Sequence, residues 1–492
     1  MVCSRARPRV VALLSIVALL AACSWGPETP VAAPKPTRAA HPNIVFVLTD
    51  DLAPNLIQFM PRLQRLRGRG VDFSKFFVTD SACCPSRATI LTGRLPHNTG
   101  VLRNVPPSGG YQAFKGRGNE SSTYAVSLER AGYRTAMIGK YLNGYPPESG
   151  GAPPGWSEWY VTDLGYDQYG YVLNENGRVV RYGNAPQDYL NDVIARKGVD
   201  FINRSAQAGR PFMLQLSTFT PHPPFVPAPR HAQTFAGLRA PRGPSFDEQD
   251  VSDKPRWLRR VPPLSQHDKN LIDGRFRNRA QSVQAVDEMI GQIEQALAAN
   301  KVDRDTYIVF SSDNALHMGE HRLVGGKMTA YDTDIRVPFI VAGPGVPAGR
   351  TVDRLAQNTD VYATFLELAR VPVPPQHDGR SLAPFILGRQ VKSWRGAVLI
   401  QHAGPVTGPG DPDRPERRGE NPPSYRAVRT GEELYVEYGY GDREYYDMRL
   451  DPHQLDNAAT SPAGPRQVEL SRLLRSLERC AGDSCRTADG VS

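Results

Sequence analysis

Cys83-Cys84-Pro85-Ser86-Arg87-Ala88-Thr89-Ile90-Leu91-Thr92-Gly93-Arg94 is the stretch of this chain whose residue types and spacing best permit chemistry. A cysteine pair is followed by a proline suited to a first helical position and by two arginines. A helix opening at Pro85 aims free backbone N–H groups at whatever Cys83 attacks, and its N-terminus favours an ionised cysteine. The segment reads as a nucleophile beside an anion site. For an arbitrary Cys-Cys, a buried pair at a strand-to-helix corner is the plainer alternative.

The elements that must position such a site are legible as apolar runs. Residues 43–48, 134–138, 212–216, 307–310 and 338–341 read as short buried strands. Between the third and fourth, Val283, Val286, Ile290, Ile293 and Leu297 recur at helical spacing. This alternation predicts an α/β fold over residues 41–384, a largely parallel central sheet sandwiched by helices. Ligands of such sheets lie beyond the carboxyl ends of the strands, so the residues after each run carry the functional expectation. Asp50 and Asp51 follow one run, Asp313 and Asn314 another. Three carboxylates and an amide oxygen suit Ca²⁺ or Mg²⁺, although either pair alone reads as a cap or turn. Gly139-Lys140 ends a third run, where a glycine permits close approach to an oxyanion, and Thr220-Pro221-His222-Pro223-Pro224 follows a fourth.

The ends of the chain set the compartment. Arg5, Arg7 and Arg9 precede the apolar run 10–22, too short to span a bilayer and ending in Leu20-Ala21-Ala22-Cys23. Residues 1–22 therefore read as a secretory signal, and 23–40, rich in Pro and Ala, as an extended tether. Cys480 and Cys485 flank a short loop behind a leucine-rich helix over 468–477, and in an oxidising compartment they read as a disulfide, with two free thiols as the alternative. Hydrophobic residues at 40% and charged residues at 22% describe an ordinary globular chain. Removing the three leader arginines takes the formal charge from +9 to +6, which suits polyanionic ligands or simple solubility. No repeat, P-loop or aromatic-basic array points to nucleic acid. After about Pro384, residues 397–401, 425–429, 434–438 and 443–446 read as short strands separated by turns. The Pro- and Arg-rich stretch 227–263 and the stretch 404–423 read as poorly ordered or substrate-shaping loops, and 145–167 as a further loop shaping specificity.

Cys-x-Pro-Ser-Arg followed by Leu-Thr-Gly-Arg-Leu-Pro-His-Asn resembles the signature of the type I, formylglycine-dependent sulfatases of the alkaline phosphatase-like superfamily, and most resembles their N-acetylglucosamine-6-sulfatase and arylsulfatase branch. The resemblance spans roughly residues 41–480. It implies that a separate formylglycine-generating enzyme oxidises Cys83 to Cα-formylglycine, with Pro85 and Arg87 in the recognition sequence and Cys84 a bystander. It implies Asp50, Asp51, Asp313, Asn314 and the modified Cys83 as ligands of Ca²⁺, with Mg²⁺ open. It further implies that Lys140 and Lys327, the latter in Gly325-Gly326-Lys327-Met328, bind sulfate, and that His222 contacts sulfate and the leaving oxygen. Leu142 stands where many arylsulfatases carry histidine, which leaves Asn143 to occupy part of that space. His317 fits a position several members fill with an active-site histidine, although Ala315 replaces their glycine. The C-terminal residues 385–492 resemble the family's small subdomain, an antiparallel sheet with a packed helix. The leader resembles bacterial lipoprotein signals, implying a lipid on Cys23 and an extracytoplasmic, membrane-anchored enzyme; an ordinary secreted protein is the alternative.

The expected chemistry follows. A sulfate ester is anionic, so the cation, Arg87, Lys140 and Lys327 must supply positive charge. One hydroxyl of hydrated formylglycine, activated by the cation and a carboxylate such as Asp313, attacks sulfur while His222 or a lysine protonates the departing alcohol. The second hydroxyl then returns the group to the aldehyde and expels sulfate, a step closed to serine or plain cysteine. The substrates implied are sulfated sugars such as N-acetylglucosamine 6-sulfate, or aryl sulfates. A phosphonate monoester or phosphodiester hydrolase of the same superfamily and a non-enzymatic binder of sulfated glycans are the competing readings.

Overall fold

The computed structural model describes residues 41–490, apart from 409, 416–419 and 461. The expected signal, the tether and Cys23 lie outside the described residues.

The strand Asn43–Thr49 is buried along its whole length. Its side chains alternate between two hydrophobic clusters, Ile44, Phe46 and Leu48 in one, Val45 and Val47 in the other, because successive residues leave a strand on opposite faces. A strand apolar on both faces must be covered on both, and helices do so. Leu190–Gln207 and Gln266–Ala299 lie over the Val45 face. Cys83–Thr92, Tyr124–Arg130 and Asp360–Leu368 lie over the Phe46 face.

The main sheet has ten strands, in the order Arg350–Val352, Val71–Phe73, Phe339–Ala342, Thr306–Ser312, Asn43–Thr49, Phe212–Ser217, Arg134–Lys140, Glu158–Thr162, Val172–Glu175 and Arg178–Arg181. From Thr306–Ser312 to Glu158–Thr162 all pairings are parallel, as expected of a largely parallel sheet. Phe339–Ala342 runs antiparallel to Thr306–Ser312, so it differs from the other four expected strands: the chain enters it, rather than leaves it, at the functional end. The outer strands escaped the sequence reading because several have only three or four residues and Glu158–Thr162 sits inside the stretch read as a specificity loop.

Register fixes what faces what. Ser311, Leu48, Ser217, Gly139 and Val161 form one row across five strands. Thr49 pairs with Ser312 one step further on, which brings Asp50 and Asp313 side by side just past the sheet. Gly139 has φ +107°, and a Cβ there would lie 1.9 Å from the Ser217 carbonyl oxygen. The glycine therefore serves a close approach to backbone rather than to a ligand.

The helix carrying the cysteines begins at Cys83, two residues earlier than the proline suggested, and Pro85 takes its third position, where its missing N–H is still no loss. The long helix Gln266–Ala299 opens with a capping box, in which Ser265 and Asp268 satisfy each other's backbone N–H groups.

The C-terminal strands Ala397–His402, Tyr425–Thr430, Glu433–Tyr438 and Arg443–Asp447 pair antiparallel in chain order. Val398, Ile400, Ala427 and Val436 join the main core. Leu399, Val428 and Tyr435 pack instead on Leu470, Leu474 and Leu477 of the helix Pro465–Leu477. The Cys480–Cys485 disulfide is formed, with a Cα–Cα distance of 4.7 Å. The stretch 227–263 has little regular structure but is tied down: Glu248 pairs with His321 at 2.6 Å and with Lys254 at 3.0 Å, and Arg256 with Asp442 at 3.0 Å.

Replacing Gly139 by Ala forces a side chain into the Ser217 carbonyl at a positive φ. We expect a loss of at least about 2 kcal/mol in urea denaturation, together with reduced turnover because Lys140 is displaced.

Candidate active site

Four strand ends, one buried helix and a loop of the C-terminal subdomain converge on Cys83. Its Sγ is 3.2 Å from Asp50 Oδ1 and 2.9 Å from Lys327 Nζ. Arg87 follows four residues later on the same helix face. Its Nε donates to Asp313 Oδ2 at 2.7 Å and its Nη1 to the Lys140 carbonyl at 3.1 Å. Lys140 Nζ reaches Asp50 Oδ2 at 2.5 Å, and Lys327 Nζ reaches Asp51 Oδ1 at 2.6 Å. All of these side chains are buried.

Asp51 stands at φ +68° and Met328 at +77°. Left-handed backbone outside glycine is uncommon and concentrates at functional sites. At Asp51 the turn brings the backbone N–H within 3.2 Å of Asp313 Oδ1.

The donor set fits a hard divalent cation. Ligand atoms of Asp50, Asp51, Cys83 and Asp313 lie within 4.8 Å of one another. Asp51 Oδ2 and Asn314 Oδ1 are buried acceptors with no hydrogen-bond partner, and leaving such acceptors unmatched costs about 1–3 kcal/mol each. Oxygen donors with an excess of carboxylate suit Ca²⁺ or Mg²⁺. A second grouping of Asp51, His222 and Asp413 is also close-set, but its imidazole makes it a poorer match to a hard cation than a site of oxygen donors.

His222 donates from Nδ1 to the Pro223 carbonyl at 2.7 Å, and its Nε2 faces Asp413 Oδ1 at 2.9 Å. Burial alone lowers its pKa, but Asp51, Asp50 and Asp413 raise it above the ordinary value. Burial likewise works against charge on Lys140 and Lys327, yet the carboxylates of Asp50 and of Asp413 and Asp51 hold both well above the usual lysine range. Burial raises Asp313, and the Asp50 charge raises it further.

Cys83 departs from the sequence reading. Burial pushes its thiol well above the ordinary range, and Asp413 and Asp50 push the same way. Burial and the two carboxylates outweigh the helix N-terminus.

Asn143 and His317 also sit differently from the groups around Cys83. Asn143 accepts from the Cys84 thiol at 3.1 Å, and its Nδ2 donates to Tyr166 Oη at 3.1 Å. Cys84, read as a bystander, thus links the helix to the Lys140 turn, its thiol pushed up to about 12 by burial. His317 bonds Asp334 through Nδ1 at 2.9 Å and leaves Nε2 buried without a partner. Its backbone bridges Gly326, which steadies the turn before Lys327.

Three contributors were not singled out from the sequence, although Asp413 and Tyr166 lie in stretches read there as loops shaping the substrate site. Asp413 arrives on a Gly- and Pro-rich loop. Asn104 accepts from the Cys84 N–H at 2.9 Å and donates to Asp413 Oδ2 at 2.6 Å. The Tyr166 ring lies 4.5 Å from the His222 ring, and Lys140 Nζ lies 4.9 Å from the Tyr166 ring centre. A cavity of about 510 Å³ opens over the cluster, lined by Asp51, Tyr166, His222, Lys327, Asp413 and Arg414 among others. That volume suits a small ligand.

A model of the family described as sulfatase matches residues 42–371. The chain belongs to the sulfatase family. A second model, described as the C-terminal part of N-sulphoglucosamine sulphohydrolase, matches residues 319–479. Among relatives, an N-acetylglucosamine-6-sulfatase of Capra hircus is 34% identical, over 91% of this chain and 85% of that protein. An arylsulfatase of Volvox carteri is 31% identical, over 91% of this chain and 75% of that protein. A solved structure described as in complex with its substrate D-glucosamine-2-N,6-O-disulfate superposes with a TM-score of 0.72. At 24% identity, covering 91% of this chain and 99% of that one, it speaks to the fold alone. This sulfatase is therefore an enzyme that hydrolyses sulfate esters, and the reading as a non-enzymatic glycan binder is set aside.

The orphaned oxygens make a thermal test direct. Ca²⁺ at saturating concentration is expected to raise Tm by roughly 2–6 °C, and EDTA to reverse it. Asp51→Asn, which tolerates the same backbone, should lose most of that rise; an undiminished rise places the cation elsewhere.

Proposed function

We propose that this sulfatase removes sulfate from sulfated sugars such as N-acetylglucosamine 6-sulfate, or from aryl sulfates, using Cys83 as Cα-formylglycine and a divalent cation, outside the cytoplasm. The observation that carries the reading is the convergence of residue 83 with Arg87, Lys140, His222 and Lys327 beside three carboxylates and Asn314. The lipoprotein-like leader supports export and a lipid on Cys23.

Each side chain has a task in that reading. Asp50, Asp51, Asp313, Asn314 and residue 83 would hold a divalent cation, which would supply Lewis-acid charge at the site. Converted to hydrated formylglycine, residue 83 would supply one hydroxyl as nucleophile and keep a second for regenerating the aldehyde. Lys140 and Lys327, both ammonium, neutralise the sulfate oxygens as charge shifts onto them. Arg87 holds Asp313 and thereby orients the attacking residue. His222 keeps Nδ1–H on the Pro223 carbonyl, so the proton at Nε2 is the one aimed at the departing alcohol. His317 and Asn143 act behind this set, His317 by steadying the Lys327 turn and Asn143 by fixing Cys84 and Tyr166.

Mass spectrometry of the peptide carrying residue 83 is expected to find the thiol replaced by an aldehyde. Cys83→Ala should abolish turnover, and Lys140→Ala or Lys327→Ala should lower kcat by about 10²–10³. Unchanged turnover in Cys83→Ala would reject the mechanism. Sulfated monosaccharides assayed against an aryl sulfate then rank the substrate classes.

The His222 proton gives the pH dependence. A raised pKa means the acid form persists to higher pH than for ordinary histidine and is lost as pH climbs through it. The alkaline limb of kcat should therefore lie above the usual histidine value. His222→Gln should remove that limb while lowering kcat by about 10²–10⁴.

A further inference from the structure

Asp413 stands where the substrate's sulfate has to stand. Its Oδ1 is 2.9 Å from His222 Nε2 and 2.9 Å from Lys327 Nζ. Its Oδ2 is 3.6 Å from Cys83 Sγ and 2.6 Å from Asn104 Nδ2. A reacting sulfur must come within about 3–3.5 Å of the nucleophilic atom, and its oxygens need the same two cationic donors. The carboxylate already holds both, and its side chain is only 2% exposed. Two anions cannot occupy one berth.

The support for Asp413 is local. Its N–H bonds Asp411 Oδ1 at 3.0 Å, and Asn104 Nδ2 lies 3.1 Å from the same oxygen. The base of the loop is clasped by Asn421, which bonds both the N–H and the carbonyl of Val406 at 2.8 and 2.7 Å. Between these points Pro412 and Arg414 are exposed. Asp413 thus rests on Asn104 and on the anion site itself.

We infer that Asp413 is an internal counter-anion that occupies the sulfate berth and that a substrate must displace. This rests on the reading of Lys327 and His222 as sulfate-binding groups. A self-occupied site lowers the apparent affinity for every sulfate by the fraction of time it is filled. The factor is common to all sulfates, so it leaves ligands with nothing but a sulfate to offer, above all the inorganic sulfate released by the reaction, unbound at concentrations where a better-held ester still binds. A sugar ester recovers it through contacts along the cavity wall.

The test uses the mature enzyme, inorganic sulfate as competitive inhibitor and para-nitrophenyl sulfate as substrate. Asp413→Ala should tighten the sulfate inhibition constant by about tenfold or more and lower KM for the small ester. Asp413→Asn, similar in shape but uncharged, should move both the same way by less. If sulfate binds equally or more weakly in both variants while kcat falls, Asp413 positions His222 instead and the inference is overturned. Lys327→Ala separates the underlying reading: if its sulfate inhibition equals that of the wild type, the anion site is misassigned and the inference falls with it.

Discussion

The structure depends on keeping buried charge in balance. Arg87, Lys140, Lys327 and His222 share one buried cluster with Asp50, Asp51, Asp313 and Asp413. Removing one partner of a buried pair costs about 3–5 kcal/mol, because the other charge stays behind in low dielectric. No side chain here is free to be chosen for catalysis alone. Each cation that could bind an anion is at rest held by a carboxylate, and each carboxylate that could bind a metal is held by a cation. Substrate and cofactor can enter such a site only by exchanging partners.

The sheet makes that balance reproducible. Side chains at strand ends inherit their spacing from register, and Thr49 opposite Ser312 sets Asp50 beside Asp313 without any long loop to order. Lys140 follows Gly139, itself pressed on the Ser217 carbonyl, so the lysine's origin is as rigid as the sheet. Lys327 comes from a turn instead. His317 and Gly326 pair across it, and Asp334 holds His317, so a short bridge replaces what a strand provides elsewhere.

This explains what the sequence could and could not disclose. Residues 43–48, 134–138, 212–216 and 307–310 announced themselves because parallel strands buried on both faces are continuous apolar runs. The groups directly after them were legible for the same reason. The antiparallel sense of Phe339–Ala342 was not, since an apolar run carries no direction. Asp413 was invisible for a different cause. Its loop has no periodicity, its neighbours in space include His222 and Cys83, 191 and 330 positions away in sequence, and an Asp after a proline looks like any turn. Asn104 likewise shows its use only once Cys84 and Asp413 are brought to it.

The state of Cys83 follows from the same balance. A thiolate nucleophile needs an electropositive, partly exposed setting. Cys83 has cations nearby, but those cations face carboxylates, and burial adds its own opposition to ionising the thiol. The positive charge in the site is spent on its carboxylates rather than on ionising sulfur. A neutral hydroxyl that loses its proton only during attack escapes this conflict, because it carries no standing charge to be buried. The same electrostatics work against an unmodified cysteine as a thiolate nucleophile.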